Sequence, residues 1–153
     1  MSTIGRPIIY VDADSCPVKE EIVEISNYNR IRVVFVASYA HMTENTLGAC
    51  WKFVDTAKEA ADLFIMNHIK AGDVAITQDI GLASTLLPKG VCVLSPRGTL
   101  IKDKDIHTAL DLRYLSAKAR RQGIYGKGPK SLTKEDRKRF VNKFTKILSN
   151  FEG

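Results

Sequence analysis

Pro7-Ile8-Ile9-Tyr10-Val11 is an apolar run that ends at Asp12, and Asp14 follows two residues later. A short, uninterrupted apolar run of this kind is typical of a strand that is buried on both faces, as in a parallel sheet. Four later segments have the same character: residues 31–37, 51–54, 74–77 and 91–94. Three segments predicted to be helical lie between them: residues 17–29, 57–70 and 82–87. This alternation with short connections predicts an α/β domain whose parallel sheet is covered by helices on both faces.

The strands stop after residue 100, and the pattern becomes helical. Residues 105–122 are predicted to form a long helix, a Gly-rich connector spans residues 123–129, and a second helix is predicted to begin at Thr133. The second helix carries an apolar stripe of Phe140, Val141, Phe144, Ile147 and Leu148. The prediction is therefore a single three-layer domain over residues 1–153, with a core over about residues 6–100 and a helical extension over about residues 101–153.

The charge is unevenly divided between these two parts. The chain of 153 residues has a net charge of +6. Residues 1–100 contain 9 Lys and Arg against 11 Asp and Glu, whereas residues 101–153 contain 14 against 6. A basic tail beside an acidic body indicates an anionic partner, with RNA or another phosphate-bearing ligand favoured. The alternative is that Lys-rich helices only keep a small protein in solution.

Membrane insertion and secretion are not expected. No apolar run approaches the ~20 residues that a membrane-spanning helix needs. The first six residues lack the apolar core of a signal peptide. The three cysteines, Cys16, Cys50 and Cys92, are odd in number and widely spaced, which favours a reducing cytoplasmic setting without disulfides.

Acidic side chains follow the predicted strands. Asp12 and Asp14 come after the first strand and Asp79 comes after the fourth, while Glu59 and Asp62 lie three residues apart on the preceding helix. In open parallel sheets, ligands bind outside the carboxyl ends of the strands. Carboxylates gathered there repel one another unless a cation is present, and hard oxygen ligands select Mg²⁺ or Mn²⁺. Taken singly, each of these residues is equally typical of a turn, a helix cap or a solvated helix surface.

Several motifs resemble those of the bacterial YaiI/YqxD family over nearly the whole chain. They are Val11-Asp12-Ala13-Asp14-Ser15-Cys16-Pro17-Val18-Lys19, Glu59-Ala60-Ala61-Asp62, the stretch from Gly72 to Ala83, Pro96-Arg97-Gly98, and in the tail Arg113, Arg120, Gly123, Gly128-Pro129, Asp136-Arg137 and Phe140. The family is similar in organisation to PIN-type nucleases, which hold Mg²⁺ or Mn²⁺ with strand-end carboxylates. The resemblance thus implies a PIN-like fold with Asp12, Asp14, Asp62 and Asp79 as the acidic set. Two positions depart from the pattern: Glu59 stands where an Asp is expected, and Lys127 interrupts paired glycines.

Three functions are consistent with these observations. The first is a divalent-metal-dependent nuclease in which Asp12, Asp14, Asp62 and Asp79 are catalytic, with Glu59 as a further metal ligand. Its nucleic-acid contacts would come from Arg97, Arg120, Arg121, Lys127 and Lys130. The second is a haloacid-dehalogenase-like phosphatase with Asp12 as the nucleophile and Ser38 binding phosphate. The third is a nucleic-acid-binding protein without catalytic activity.

Overall fold

The central layer is a five-stranded parallel sheet. The computed structural model describes residues 6–57, 59–123 and 131–150. The strands are β1 (Ile8–Asp12), β2 (Arg32–Ser38), β3 (Cys50–Val54), β4 (Val74–Ile76) and β5 (Cys92–Leu94). They lie in the order β3-β2-β1-β4-β5, and all four pairings are parallel. The predicted α/β fold is therefore confirmed, with each strand within two residues of its predicted position.

Five helices cover the sheet or follow it. They are α1 (Lys19–Tyr28), α2 (Ala60–His68), α3 (Ile80–Leu86), α4 (Asp103–Arg121) and α5 (Lys134–Ser149). The first helix begins two residues later than predicted, because a short 3-10 turn over Ala13–Ser15 and an extended Cys16 intervene after β1. The third helix begins two residues earlier than predicted, because the side chain of Asp79 caps it. Most of the predicted glycine-rich connector lies outside the described residues.

The sheet separates two apolar cores, which gives the three layers that the sequence predicts. On one face, Ile9 and Val11 of β1 pack with α1 and α5. On the other face, Tyr10 packs with α2, α3 and Ile106 at the start of α4. The alternation along β1 explains why the strand is apolar throughout, since successive side chains enter opposite cores.

The last helix is an integral part of the first core. Phe140, Phe144 and Leu148 of α5 are fully buried against the sheet. The loop after β5 holds the start of this helix, because the Arg97 guanidinium pairs with Asp136 at 2.6 Å. Gly98 has a φ of +86° and lies directly against the backbone of Arg139 and Phe140. The basic tail is therefore joined to the domain by both apolar packing and ionic contact.

The strand order creates a switch point between β1 and β4. From β1 the chain moves outward through β2 to β3, then returns to the other side of β1 with β4 and continues to β5. Connections that diverge at such a point are expected to leave a crevice at the carboxyl ends of the strands, here β1 and β4. Within the described residues, no helix is both long enough and apolar enough to cross a membrane.

Candidate active site at the carboxyl ends of strands β1 and β4

Asp12 and Asp79 lie on the two sides of this crevice and are linked by one threonine. Asp12 is the last residue of β1, and its Oδ2 accepts a hydrogen bond from the hydroxyl of Thr77 at 3.1 Å. The same hydroxyl oxygen accepts a hydrogen bond from the backbone N–H of Asp79 at 3.0 Å. Thr77 is almost fully buried. It thus fixes the end of β1 relative to the turn that follows β4.

Asp79 also begins the next helix. Its Oδ1 accepts a hydrogen bond from the N–H of Leu82 at 3.2 Å, which caps α3. A cap of this type stabilises a helix by ~1 kcal/mol, so Asp79 has a structural role whatever its chemistry. Gly81 leaves room beside it, since a Cβ at that position would lie 3.1 Å from Asp79 Oδ1.

Asp62 approaches the same crevice from α2. It lies in the first turn of this helix, and Glu59 is the exposed residue immediately before the helix. A carboxylate in a first turn is favoured by the helix dipole, which accounts for one acidic residue here. The dipole does not account for the proximity of Asp62 to two further carboxylates on other elements.

The electrostatic environment shows that these acids are close together. Partial burial raises the pKa of the Asp62 carboxyl to about 6, and the negative charges of Asp79, Asp12 and Glu59 add to the effect. The Asp62 and Asp79 carboxyls are also within hydrogen-bonding reach of each other. Burial likewise raises the pKa of Asp12, with Asp14 and Asp79 contributing. Asp12, Asp62 and Asp79 therefore form one interacting group, called here the acidic triplet.

The acidic triplet suits a hard divalent cation in chemical kind, because it offers only carboxylate oxygens whose mutual repulsion a cation would relieve. Its geometry is less complete. Within the described ranges, no group of three or more His, Cys, Asp or Glu side chains is arranged to hold a metal ion as it stands. Electrostatic coupling extends farther than coordination distance, so the raised pKa values and the absence of a ready-made ligand group are compatible.

Asp14 is engaged by the end of β2, although its charge also raises the pKa of Asp12. Its two carboxylate oxygens accept hydrogen bonds from the backbone N–H of Ser38 at 3.2 and 3.1 Å. Asp14 Oδ1 also lies 3.1 Å from Nδ1 of His41, and the same ring nitrogen is 3.0 Å from the Ser38 hydroxyl. Asp14 thus joins β1 to the segment after β2.

A groove of about 570 Å³ opens beside Asp14. Its walls come from the start of α1, the segment between β2 and β3, and α5. The lining residues include His41, Thr43, Asn45, Trp51, Lys19 and Arg137. None of the acidic triplet lines it, so the groove adjoins the candidate site without containing it.

The predicted nucleic-acid contacts that the structure describes lie in two different places. Arg97 pairs with Asp136 and holds α5, a role that the sequence did not reveal. Arg120 and Arg121 are exposed in the last turn of α4. Lys127 and Lys130 lie outside the described residues.

Thr77 is the site residue that sequence reasoning missed. The sequence pattern places it at the end of the fourth predicted strand, and its position directly before Gln78-Asp79 is a usable signal. A hydroxyl at such a position can donate to one neighbour and accept from another, and Thr77 does both.

Replacing Asp62 with Asn should change how stability depends on pH. The folded pKa of Asp62 lies above its ordinary value of 3.8. The folded state therefore favours the protonated form, and stability is lost as the pH rises from about 4 through about 6. After allowance for solvent screening, we expect a loss of about 1 kcal/mol, or roughly 2–4 °C in melting temperature, that Asp62→Asn removes.

Thermal melts with a chelator at about pH 4 and about pH 7.5 would measure this difference. Asp111→Asn is the matched control, since Asp111 is exposed on α4 and is not among the charges that raise the pKa of Asp62 or Asp12. Equal pH profiles for wild type and Asp62→Asn would show that Asp62 does not carry the shifted proton.

The fold and the site together define a three-layer α/β protein with an acidic crevice at the switch point of its sheet. The chain belongs to the YaiI/YqxD family, described as "Uncharacterized BCR", whose model matches residues 10–150. The family resemblance predicted from the sequence motifs is thereby confirmed.

Relatives with high identity extend over nearly the full chain. A UPF0178 protein of Bacillus pumilus is 54% identical over 146 residues, covering 95% of this chain and 88% of its own length. UPF0178 proteins of Bacillus cytotoxicus and Listeria monocytogenes are 52% and 50% identical, covering 95% and 94% of this chain and 95% and 99% of their own.

Among solved structures, the crystal structure of a variant of Rae1 (YacP) from Bacillus subtilis is similar at 17% identity with a TM-score of 0.44. The match covers 94% of this chain and 98% of that one. A likeness at this level carries no argument about activity.

Proposed function

We propose that this protein is a divalent-metal-dependent nuclease that hydrolyses phosphodiester bonds, with RNA as the favoured substrate. The observation that carries the proposal is the acidic triplet, three carboxylates from β1, α2 and the turn after β4 that interact at the switch point. A fold without a ligand there has no need to place three like charges together, and carboxyls whose pKa values are raised, as those of Asp12 and Asp62 are, favour a functional site.

In this proposal, Asp12, Asp62 and Asp79 hold Mg²⁺ or Mn²⁺. Such an ion supplies a water of lowered pKa and neutralises charge on the scissile phosphate. Thr77 keeps Asp12 and the Asp79 turn in register through its two hydrogen bonds. Because no three such side chains of the described residues are arranged to hold a metal ion, binding would require the carboxylates to rearrange.

Asp14 and Glu59 have lesser roles in this arrangement. Asp14 is engaged with Ser38 and His41, so it would order the segment beside the site rather than act as a primary ligand. Glu59 is exposed at the start of α2 and adds negative charge around Asp62. It is the residue best placed to complete a ligand set from the solvent side.

RNA is favoured because the chain is basic overall and its positive charge is concentrated in the tail. Backbone phosphates are the contacts that such charge supplies. The groove beside Asp14 supplies no net positive charge, because Asp14, Glu20 and Glu21 line it together with Lys19 and Arg137. The exposed Arg120 and Arg121 remain predicted phosphate contacts.

The phosphatase hypothesis receives no such support. It needs Ser38 to bind phosphate, but the Ser38 hydroxyl contacts His41 and its backbone N–H contacts Asp14. The non-catalytic hypothesis predicts RNA binding that does not depend on the carboxylates, and the experiment below separates it from the others.

The test is cleavage of a mixed RNA pool with Mn²⁺, with Mg²⁺ and with a chelator. Wild type is compared with Asp79→Asn and with the control Asp111→Asn. Asn is as good a helix cap as Asp, so Asp79→Asn should keep α3 intact. We expect metal-dependent cleavage by wild type and the control, and none by Asp79→Asn.

Other outcomes would overturn the proposal. Hydrolysis of p-nitrophenyl phosphate without RNA cleavage would favour the phosphatase. RNA binding that is equal in wild type and Asp79→Asn, with no cleavage by either, would favour the non-catalytic hypothesis. Cleavage that persists in Asp79→Asn would show that the activity does not use the acidic triplet.

A further inference from the structure

Helix α4 has little to pack against within its own chain. Ile106 is its one buried residue among the α4 side chains that the structure describes. Large apolar side chains farther along the helix are exposed: Leu110 by 44%, Leu112 by 58%, Tyr114 by 64% and Leu115 by 57%. Most helices in proteins owe their stability to packing of an apolar face, so a 19-residue helix of this kind calls for a partner.

One face of α4 has the spacing of a helix-pairing seam. Alternate steps of four and three residues bring six side chains onto it: Asp103, His107, Leu110, Tyr114, Ala117 and Arg121. This spacing is that of the a and d positions of a coiled coil. The centre of the seam is apolar, its first position is acidic and its last is basic.

We propose that α4 pairs with α4 of a second copy of this chain in an antiparallel arrangement. The seam is symmetric about position 112, the middle residue of the helix. A two-fold axis passing beside residue 112 would relate the two helices. Leu110 of each copy would then face Tyr114 of the other, His107 would face Ala117, and Asp103 would face Arg121. A self-complementary patch of this kind is what a two-fold interface requires.

Charge decides the direction of pairing. A parallel pair would place Asp103 against Asp103 and Arg121 against Arg121, and like charges opposed in this way are destabilising. Antiparallel pairing replaces both repulsions with attractions and also aligns the helix dipoles favourably. Acidic first turns and basic last turns suit any helix, so the feature that favours this face is the combination of an apolar centre with opposite charges placed symmetrically at its two ends.

The other exposed apolar pair lies on the opposite side of α4. Leu112 and Leu115 continue at the same spacing to Thr108 and Asp105 in one direction and to Ala119 in the other, so no basic residue of α4 balances Asp105 at the far end of that stripe. The two residues are as exposed as those of the seam. They therefore provide a matched control with the same loss of apolar surface.

The test is the mass of the full chain in solution, measured by sedimentation equilibrium. Wild type should be a dimer, and Leu110→Ser with Tyr114→Ser should raise the dimer dissociation constant at least about tenfold. Leu112→Ser with Leu115→Ser should leave it unchanged. Circular dichroism would verify that both variants keep their helices, which is expected because the altered side chains are exposed.

A charge exchange tests the direction of pairing without altering the apolar centre. Asp103→Arg alone should weaken the dimer, and adding Arg121→Asp should restore it. A monomeric wild type would overturn the proposal, as would a dimer that the seam variant preserves or one that Arg121→Asp fails to restore. None of these measurements depends on nuclease activity, so they stand or fall separately from the proposed function.

Discussion

The Asp12→Asn protein should fold and lose metal-dependent RNA cleavage by at least about 10²-fold, because even groups that only orient metal ligands cost ~10–100-fold when removed. Asp12 interacts with both other members of the acidic triplet. Its charge contributes to the raised pKa of Asp62, and Asp14 and Asp79 contribute to the raised pKa of Asp12. Replacing Asp12 should therefore remove one proposed metal ligand and also change the electrostatic potential at Asp62 and Asp79.

The fold should survive this change because Asn keeps the shape of the side chain and an acceptor for the Thr77 hydroxyl. Relief of like-charge repulsion should leave the melting temperature at neutral pH equal to that of wild type or above it. Single-turnover cleavage with Mn²⁺ and a thermal melt on the same preparation would measure both effects. If a folded Asp12→Asn protein cleaves RNA at the wild-type rate, Asp12 has no role in the cleavage.

The Gly98→Ala protein should be destabilised by about 3 kcal/mol, from roughly 1 kcal/mol of backbone strain and ~1–3 kcal/mol of overpacking. Gly98 has a φ of +86°, and a Cβ there would lie 2.5 Å from the backbone of both Arg139 and Phe140. Backbone atoms of a buried helix cannot move aside as the end of a flexible side chain can. The loop after β5 would therefore have to separate from α5.

Gly48→Ala is the matched control for this effect. Gly48 also has a positive φ, +71°, but a Cβ there would meet nothing within 4 Å. Backbone strain alone should lower the free energy of unfolding of the Gly48→Ala protein by about 1 kcal/mol, and its melting temperature by roughly 2–4 °C. The melting temperature of the Gly98→Ala protein should fall by roughly 6–12 °C. Equal losses of stability in the two proteins, measured by thermal or urea unfolding, would show that the close contact between Gly98 and α5 does not add to the effect of the substitution.

Much of the fold was predictable from local patterns. The apolar runs ending at Asp12 and at Thr77, with helical segments between them, require a parallel sheet covered on both faces. The acidic residues were predictable as candidates for the same reason, since residues that follow parallel strands share one edge of the sheet. Family membership followed from motifs distributed along the chain, and the family match over residues 10–150 confirms it.

Contacts between distant residues were not predictable. Arg97 and Asp136 are 39 residues apart, and no local pattern indicates that an apparent phosphate-binding arginine pairs with the cap of α5. The burial of Phe140 and Phe144 in the first core was not predictable either, because an apolar stripe on a helix does not reveal which surface it packs against.

The amino-acid order alone was enough to specify five strands, their parallel direction and the acids that follow them, because strand and helix periodicity are properties of neighbouring residues. Strand order is a property of the whole chain. The placement of β4 beside β1 brings the Asp79 turn to Asp12, and the packing of α2 brings Asp62 to both. The acidic triplet exists only because burial of two apolar cores stabilises this order of strands strongly enough to hold three like charges together.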